Sequence, residues 1–126
     1  MSALELQKAI YSKLSTDLTV SVLDNVPSGT PYPYVVIGDD TLNDSSTDDF
    51  IGFQATVTIH SWTDSEGRKQ VKTIQQSIFD SLNRCTLSIS GFNFVSCTQE
   101  YSETMLEADG ITRHGIQRFR VLYDKS

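Results

Sequence analysis

Apolar residues recur along this chain in two rhythms, and the change from one to the other predicts the order of its elements. Leu6, Ile10 and Leu14 fall four residues apart, the spacing of one helix face. Ser2 and Glu5 stand before them in the S-x-x-E arrangement, whose side chains satisfy free N–H groups at a helix start. Ser15-Thr16-Asp17 ends this predicted helix, and Val20-Ser21-Val22 reads as a short strand. All three prolines fall between Val26 and Pro33, where they fix φ and remove the donors a ladder needs. Tyr34–Gly38 is β-branched and aromatic and predicts a strand. From Asp39 to Asp49 the chain is polar and acidic and predicts a long loop, mobile over about residues 39–50.

The rhythm then becomes two. Phe53, Ala55, Val57 and Ile59 face one way, and Gln54, Thr56, Thr58 and His60 the other, which is a strand with one buried face. Thr63-Asp64-Ser65 offers caps for a second helix. Its stripe is Val71, Ile74, Ile78 and Leu82, with Phe79 beside it, and Asn83-Arg84 close it. Leu87-Ser88-Ile89 predicts a short strand, and Phe94–Glu103 a longer one. Asp109-Gly110 suits a hairpin turn, and Arg113–Tyr123 alternates again. The expected order is α–β–β–α–β–β. It implies a single α+β domain over residues 1–126, with two helices packed on one face of an antiparallel sheet of about four long strands. The other face, rich in Thr, Gln, His and Arg, is left for water or a neighbour.

At 126 residues and 14.1 kDa the chain can bury one core without metal or disulfide support. The N-terminal residues show no basic region followed by an apolar stretch, so no signal peptide is expected. Cys85 and Cys97 form no CxxC and read as two small, partly buried hydrophobes. The net charge of −6 argues against a protein that grips nucleic acid. The charge is also unevenly placed. Between Lys13 and Arg68 no Lys or Arg occurs, while Asp17, Asp24, Asp39, Asp40, Asp44, Asp48, Asp49, Asp64 and Glu66 do, which leaves the remainder net positive. Such a split suits a subunit that meets copies of itself through unlike patches.

Little in the sequence suggests catalysis. His60 and His114 lie on separate predicted strands, and a lone histidine on a polar strand face is usually a hydrogen-bonding residue. There is no G-x-S-x-G, H-E-x-x-H, phosphate loop or G-x-G-x-x-G. Asp39-Asp40 and Asp48-Asp49 lack the ligand order of a calcium loop and read as solvated. No enzyme activity, metal or cofactor is expected.

Three stretches, taken in order, resemble a known family. They are VPSGTPYPYVVIGDD at 26–40, VTIHSW at 57–62 with Gly67-Arg68-Lys69, and DGITRHGIQRFR at 109–120. Together they are similar to the tail-completion proteins of long-tailed phages, gene transfer agents and prophages. Ala108 departs from the pattern, since a proline-containing turn would be expected before Asp109-Gly110. The acidic 39–49 segment is peculiar to this chain.

The resemblance implies a structural virion protein made in the host cytoplasm and located at the head-proximal end of the tail. It implies a tail terminator that forms a hexameric ring, caps the tail tube, stops its polymerisation and offers the surface for joining the head. The implied partners are copies of itself, the tail-tube protein and a head-completion protein, with DNA passing through unbound and no membrane involved. The alternatives are a head-side connector or neck ring and, outside that class, a small-ligand binding module. On the physical reading, Arg68, Lys69, Arg113, Arg118 and Arg120 should meet carboxylates of a neighbouring copy. Asp39, Asp40, Asp44, Asp48 and Asp49 are the nearest candidates. The competing expectation is that Arg118 and Arg120 pair with Glu100 or Glu103 within the chain.

Overall fold

The computed structural model describes residues 2–48, 51–64 and 67–125, the side chain of Ser2 excepted. The expected Ser2–Glu5 cap, Asp49, Ser65 and Glu66 therefore lie outside the described residues. The elements are α1 (Ser2–Asp17), β1 (Ser21–Leu23), β2 (Tyr34–Asp44), β3 (Gly52–Thr63), α2 (Lys69–Leu82), β4 (Phe92–Leu106) and β5 (Arg113–Lys125). They form one sheet in the order β1-β2-β3-β5-β4. Its four long strands pair antiparallel, as expected. The fifth, β1, is short and runs parallel to the start of β2, Ser21 to Leu23 against Tyr34 to Val36.

Both helices cover one face of this sheet. α1 lies over β1 and β2 and against α2, which lies over β3, β5 and β4. Leu6, Ile10 and Leu14 are fully buried, as the four-residue spacing predicts. Ile74, Ile78 and Leu82 join one core with Ala55, Val57 and Ile59 of β3 and Phe119 and Val121 of β5. The register explains the match: Ala55 stands opposite Val121 and Val57 opposite Phe119, and residues opposite each other point to the same side. Each such Leu, Ile or Phe contributes about 1.5–3 kcal/mol by leaving water. Phe53, Phe92 and Tyr123 close one end of the core, with ring centroids 5.4–5.8 Å apart. The helices are also joined at their ends. Asp17 accepts hydrogen bonds from Lys13 Nζ at 2.6 Å and from Ser81 Oγ at 2.7 Å.

Three local expectations are corrected. The segment expected to be a loop from Asp39 is strand as far as Asp44, paired with β3 from Asp40 opposite Val57 to Asp44 opposite Phe53. Acidic composition hid a ladder that backbone groups make regardless of side chain. The ladder carries one irregularity. Between Ile37 and Asp40 β2 advances three residues while β3 advances two, which is a bulge. Leu87-Ser88-Ile89 is not a strand. Leu87 and Ile89 point into the core and Ser88 outward, but the segment lies outside the sheet and its alternation reflects burial alone. Helix α2 starts later than expected. Thr63 ends β3, and the capping position is Arg68, whose side chain makes no cap bond.

Candidate assembly surfaces

The topology sorts the candidate charges onto different parts of the sheet. Thr63 is opposite Arg113 and Arg113 opposite Leu106, so the end of β3, the start of β5 and the end of β4 share one rim. Arg68 and Lys69, at the start of α2, follow β3 at that rim and are exposed. Arg113 is half-buried, and its Nε is enclosed without a hydrogen-bond partner. The opposite rim carries the β2–β3 connection, with exposed Asp44 and Asp48. There Asp44 accepts bonds from the Ser46 N–H at 2.8 Å and from the Ser46 hydroxyl, which hold its carboxyl below the usual range. Asp39 and Asp40 lie between the rims, at the bulge, and are exposed. Among the described candidates, Arg68, Lys69 and Arg113 thus lie at one rim and Asp44 and Asp48 at the other.

Arg118 and Arg120 lie apart from both, on the sheet face that no helix covers. Arg118 Nε donates to Glu100 Oε2 at 2.7 Å, and Arg120 donates to Glu100 Oε1 from Nε at 2.8 Å and from Nη2 at 2.7 Å. Glu100 can reach both because β4 skips a residue between Gln99 and Tyr101, placing Glu100 in a bulge beside the two arginines. Burial pushes the Glu100 carboxyl up, but the two guanidinium groups outweigh this and hold it below the ordinary range. Tyr101 adds its ring 5.2 Å from the Arg118 guanidinium, within reach of a cation–π contact. The pairing expected within the chain, with Glu100, is present. The Tyr101 hydroxyl in turn donates to Glu103 at 2.6 Å, so this open surface carries both signs of charge.

Sequence reasoning missed a second cluster on that face. The two histidines are not alone. β3 and β5 are neighbours with Trp62 opposite His114 and His60 opposite Ile116, so His114 lies diagonal to His60 on the same side. His60 Nδ1 is 2.7 Å from His114 Nε2, and His114 Nδ1 is 2.8 Å from Glu107 Oε1. The Trp62 ring stacks on His114 at 3.7 Å and 12°. No short motif announces this cluster, because its members are tens of residues apart and meet only through strand order.

A third polar group lies on the helix side. Gln75 Nε2 donates to the Glu103 carbonyl at 2.9 Å, and Gln75 Oε1 accepts from Thr104 Oγ1 at 2.9 Å. Gln117 Nε2 reaches the Gln75 carbonyl at 3.0 Å and Gln99 Oε1 at 2.8 Å. These bonds fasten α2 to β4 and β5. Among the clefts, one of about 510 Å³ lies between the α1–β1 connection, Pro33 and α2, with Lys69 as its single charged lining residue. Cys97 is fully buried and Cys85 partly so, and burial pushes the Cys97 thiol up to about 12. Among the described residues no three His, Cys, Asp or Glu side chains converge as metal ligands would.

Comparison with known proteins agrees with this architecture. The family described as tail completion protein gp17 matches residues 8–124. The tail completion protein gp17 of Bacillus phage SPP1 is 29% identical over 120 residues, covering 91% of this chain and 89% of that protein. Among solved structures, a chain in the virion of a native gene transfer agent particle matches with a TM-score of 0.89 at 24% identity, over 98% of this chain and 97% of that one. The structure of bacteriophage SPP1 gp17 protein matches with a TM-score of 0.65 at 28% identity, over 94% and 88%. With nearly its whole length matched, the chain belongs to the gp17 family of tail completion proteins, whose role is structural.

Proposed function

We propose that this tail completion protein works as a ring-forming tail terminator: copies close into a hexamer on the finished tail tube, stop its polymerisation and present the surface that joins the head. Its partners are then further copies of itself, the tail-tube protein and a head-completion protein, and its place is the head-proximal end of the tail. Family membership over residues 8–124 carries the reading. The charge layout supports it. A ring closed by rotation joins one patch of a subunit to a different patch of the next, and this subunit carries the candidates Arg68, Lys69 and Arg113 at one rim of its sheet and Asp44 and Asp48 at the other. Arg68, Lys69 and Arg113 at one rim, Asp44 and Asp48 at the other and Asp39 and Asp40 between them, together with Asp49, are the proposed contact charges. Arg118 and Arg120, paired with Glu100 on the open face, are further candidates. A net charge of −6 lets a duplex pass the ring without sticking.

Native mass spectrometry and electron microscopy of the protein, mixed in turn with purified tail tubes and with DNA-filled heads, test this. The expected result is a six-fold ring on tube ends and tubes that no longer lengthen. A ring that forms on heads but ignores tubes would overturn it in favour of a neck protein. A chain that stays monomeric with both and binds a small molecule in the cleft beside Lys69 would overturn the ring reading altogether.

A further inference from the structure

The histidine cluster on the open face has a geometry that limits how many protons it can hold. The N···N separation of 2.7 Å between His60 and His114 has room for one hydrogen. The 2.8 Å contact with the Glu107 carboxylate requires a hydrogen on His114 Nδ1, which makes His114 Nε2 the acceptor in the neutral ring. His60 Nδ1–H must then be the donor. One further proton fits: it adds to His60 Nε2, or it makes His114 the cation and reverses the shared bond. With both rings cationic, two N–H groups point at each other across 2.7 Å and the bond cannot persist.

We propose that His60, His114 and Glu107 form a proton-limited tie between β3 and the β4–β5 turn, intact while the two imidazoles carry at most one extra proton and broken between His60 and His114 when both are charged. The surroundings fit such a device. His114 is 8% exposed and stacked under Trp62, so it cannot turn away, and its bond to Glu107 strengthens as it charges. His60 is the more exposed of the two rings and so the one that gives way. It lies over Gly38, where an added Cβ would come within 2.5 Å of its ring, so only the absence of a side chain there admits it. The facing charges on neighbouring elements are few. β2 supplies Asp39, the turn supplies Glu107, and β4 supplies Glu103, which stands opposite Ile116 and already accepts the Tyr101 hydroxyl at 2.6 Å. Burial and the neighbouring imidazole oppose charge on His60, and Asp39 favours it. Release therefore places two cations beside Trp62, at the rim that also carries Arg68, Lys69 and Arg113.

The test is a titration of the intact protein, following both imidazoles by nitrogen–carbon NMR from about pH 8 to about pH 4.5. At the alkaline end both rings should be Nδ1–H tautomers. The pair should titrate in two coupled steps, the lower one below the ordinary histidine value of 6.5. The fluorescence of Trp62, the chain's single tryptophan, should change with that lower step while the far-ultraviolet spectrum stays folded. His60→Gln should abolish the two-step behaviour and, with it, the fluorescence change of Trp62 that accompanies the lower step. Independent titration of the two rings, an Nε2–H tautomer of His114 at the alkaline end, or global unfolding at the second step would each overturn the proposal. Should His60→Gln not fold, the wild-type tautomers and midpoints decide.

Discussion

Gly115 lacks a side chain where Gln75 passes over it: a Cβ on Gly115 would lie 2.6 Å from Gln75 Nε2 and 2.9 Å from its Cδ. The glycine keeps open the space through which α2 reaches the carbonyl of Glu103. Gly115→Ala should push Gln75 off its partners and cost about 1–3 kcal/mol, the range for overfilling a packed site. In a Gln75→Ala background the same change should cost clearly less. Equal costs in both backgrounds, by urea unfolding, would refute the coupling.

Ile78 is fully buried in the core that α2 shares with β3 and β5. Ile78→Ala should cost about 2–5 kcal/mol, as large-to-small core changes do. A loss below about 1 kcal/mol would mean that α2 does not carry the core.

The Glu100 clamp permits a sharper assembly test than a single charge reversal. Arg118→Glu should change monomer stability by under about 1 kcal/mol, since the pair is solvent-screened. If the patch contacts a neighbour, ring or tail assembly should weaken, and more so at low salt. Combining Arg118→Glu with Glu100→Arg restores both a pair within the chain and the charge of the patch, with the guanidinium moved to β4. Assembly restored by the double variant would show that the charge of the patch matters and the position of Arg118 does not. Assembly unimpaired by Arg118→Glu alone at low salt would show that the arginines only shape their own subunit.

Hydrogen exchange should divide the acidic segment in two. Amides of Asp40–Ser45 that bond to β3 should exchange slowly, whereas residues 46–48 should exchange fast. Uniformly fast exchange from 39 to 48 would contradict the ladder.

Acid stability should follow His60. Burial and His114 lower its pKa on folding, so the native state binds fewer protons than the unfolded chain. Its contribution is complete above the unfolded value of 6.5 and is lost as pH falls below that, before the carboxylates Glu100 and Asp109 titrate. Melting temperature measured against pH should begin to fall in the histidine range in the wild type and later in His60→Gln. Coincident curves would exclude His60 as the source.

The elements that sequence made legible are those with one buried face. The stripes of both helices, the alternation from Phe53 to Ile59 and that from Gln117 to Tyr123 reach the structure unchanged, because burial selects apolar residues at the element's own period. Where burial and hydrogen bonding part company, the reading failed. Asp40–Asp44 is a ladder without an apolar face, and Leu87–Ile89 is an apolar alternation outside the sheet. The candidate charges were all visible as residues. Their grouping was not: Glu100 between two arginines depends on a bulge, and His60 beside His114 depends on β5 lying next to β3 rather than β4.

The bulge between Ile37 and Asp40 bears on how this sheet can change length. A regular strand is a counter with two states, and one residue gained or lost within it exchanges its two faces from there onward. In β3 such a deletion would turn core residues out and polar ones in. At the bulge the extra residue is already absorbed: with Asp39 removed, Gly38 would face Thr58, Asp40 would still face Val57, and Leu42 would still face Ala55. Gly38 would remain beneath His60. Single-residue insertions and deletions among relatives should therefore collect at Gly38–Asp39, the position in this part of the ladder where the reading frame of the sheet can slip without being misread.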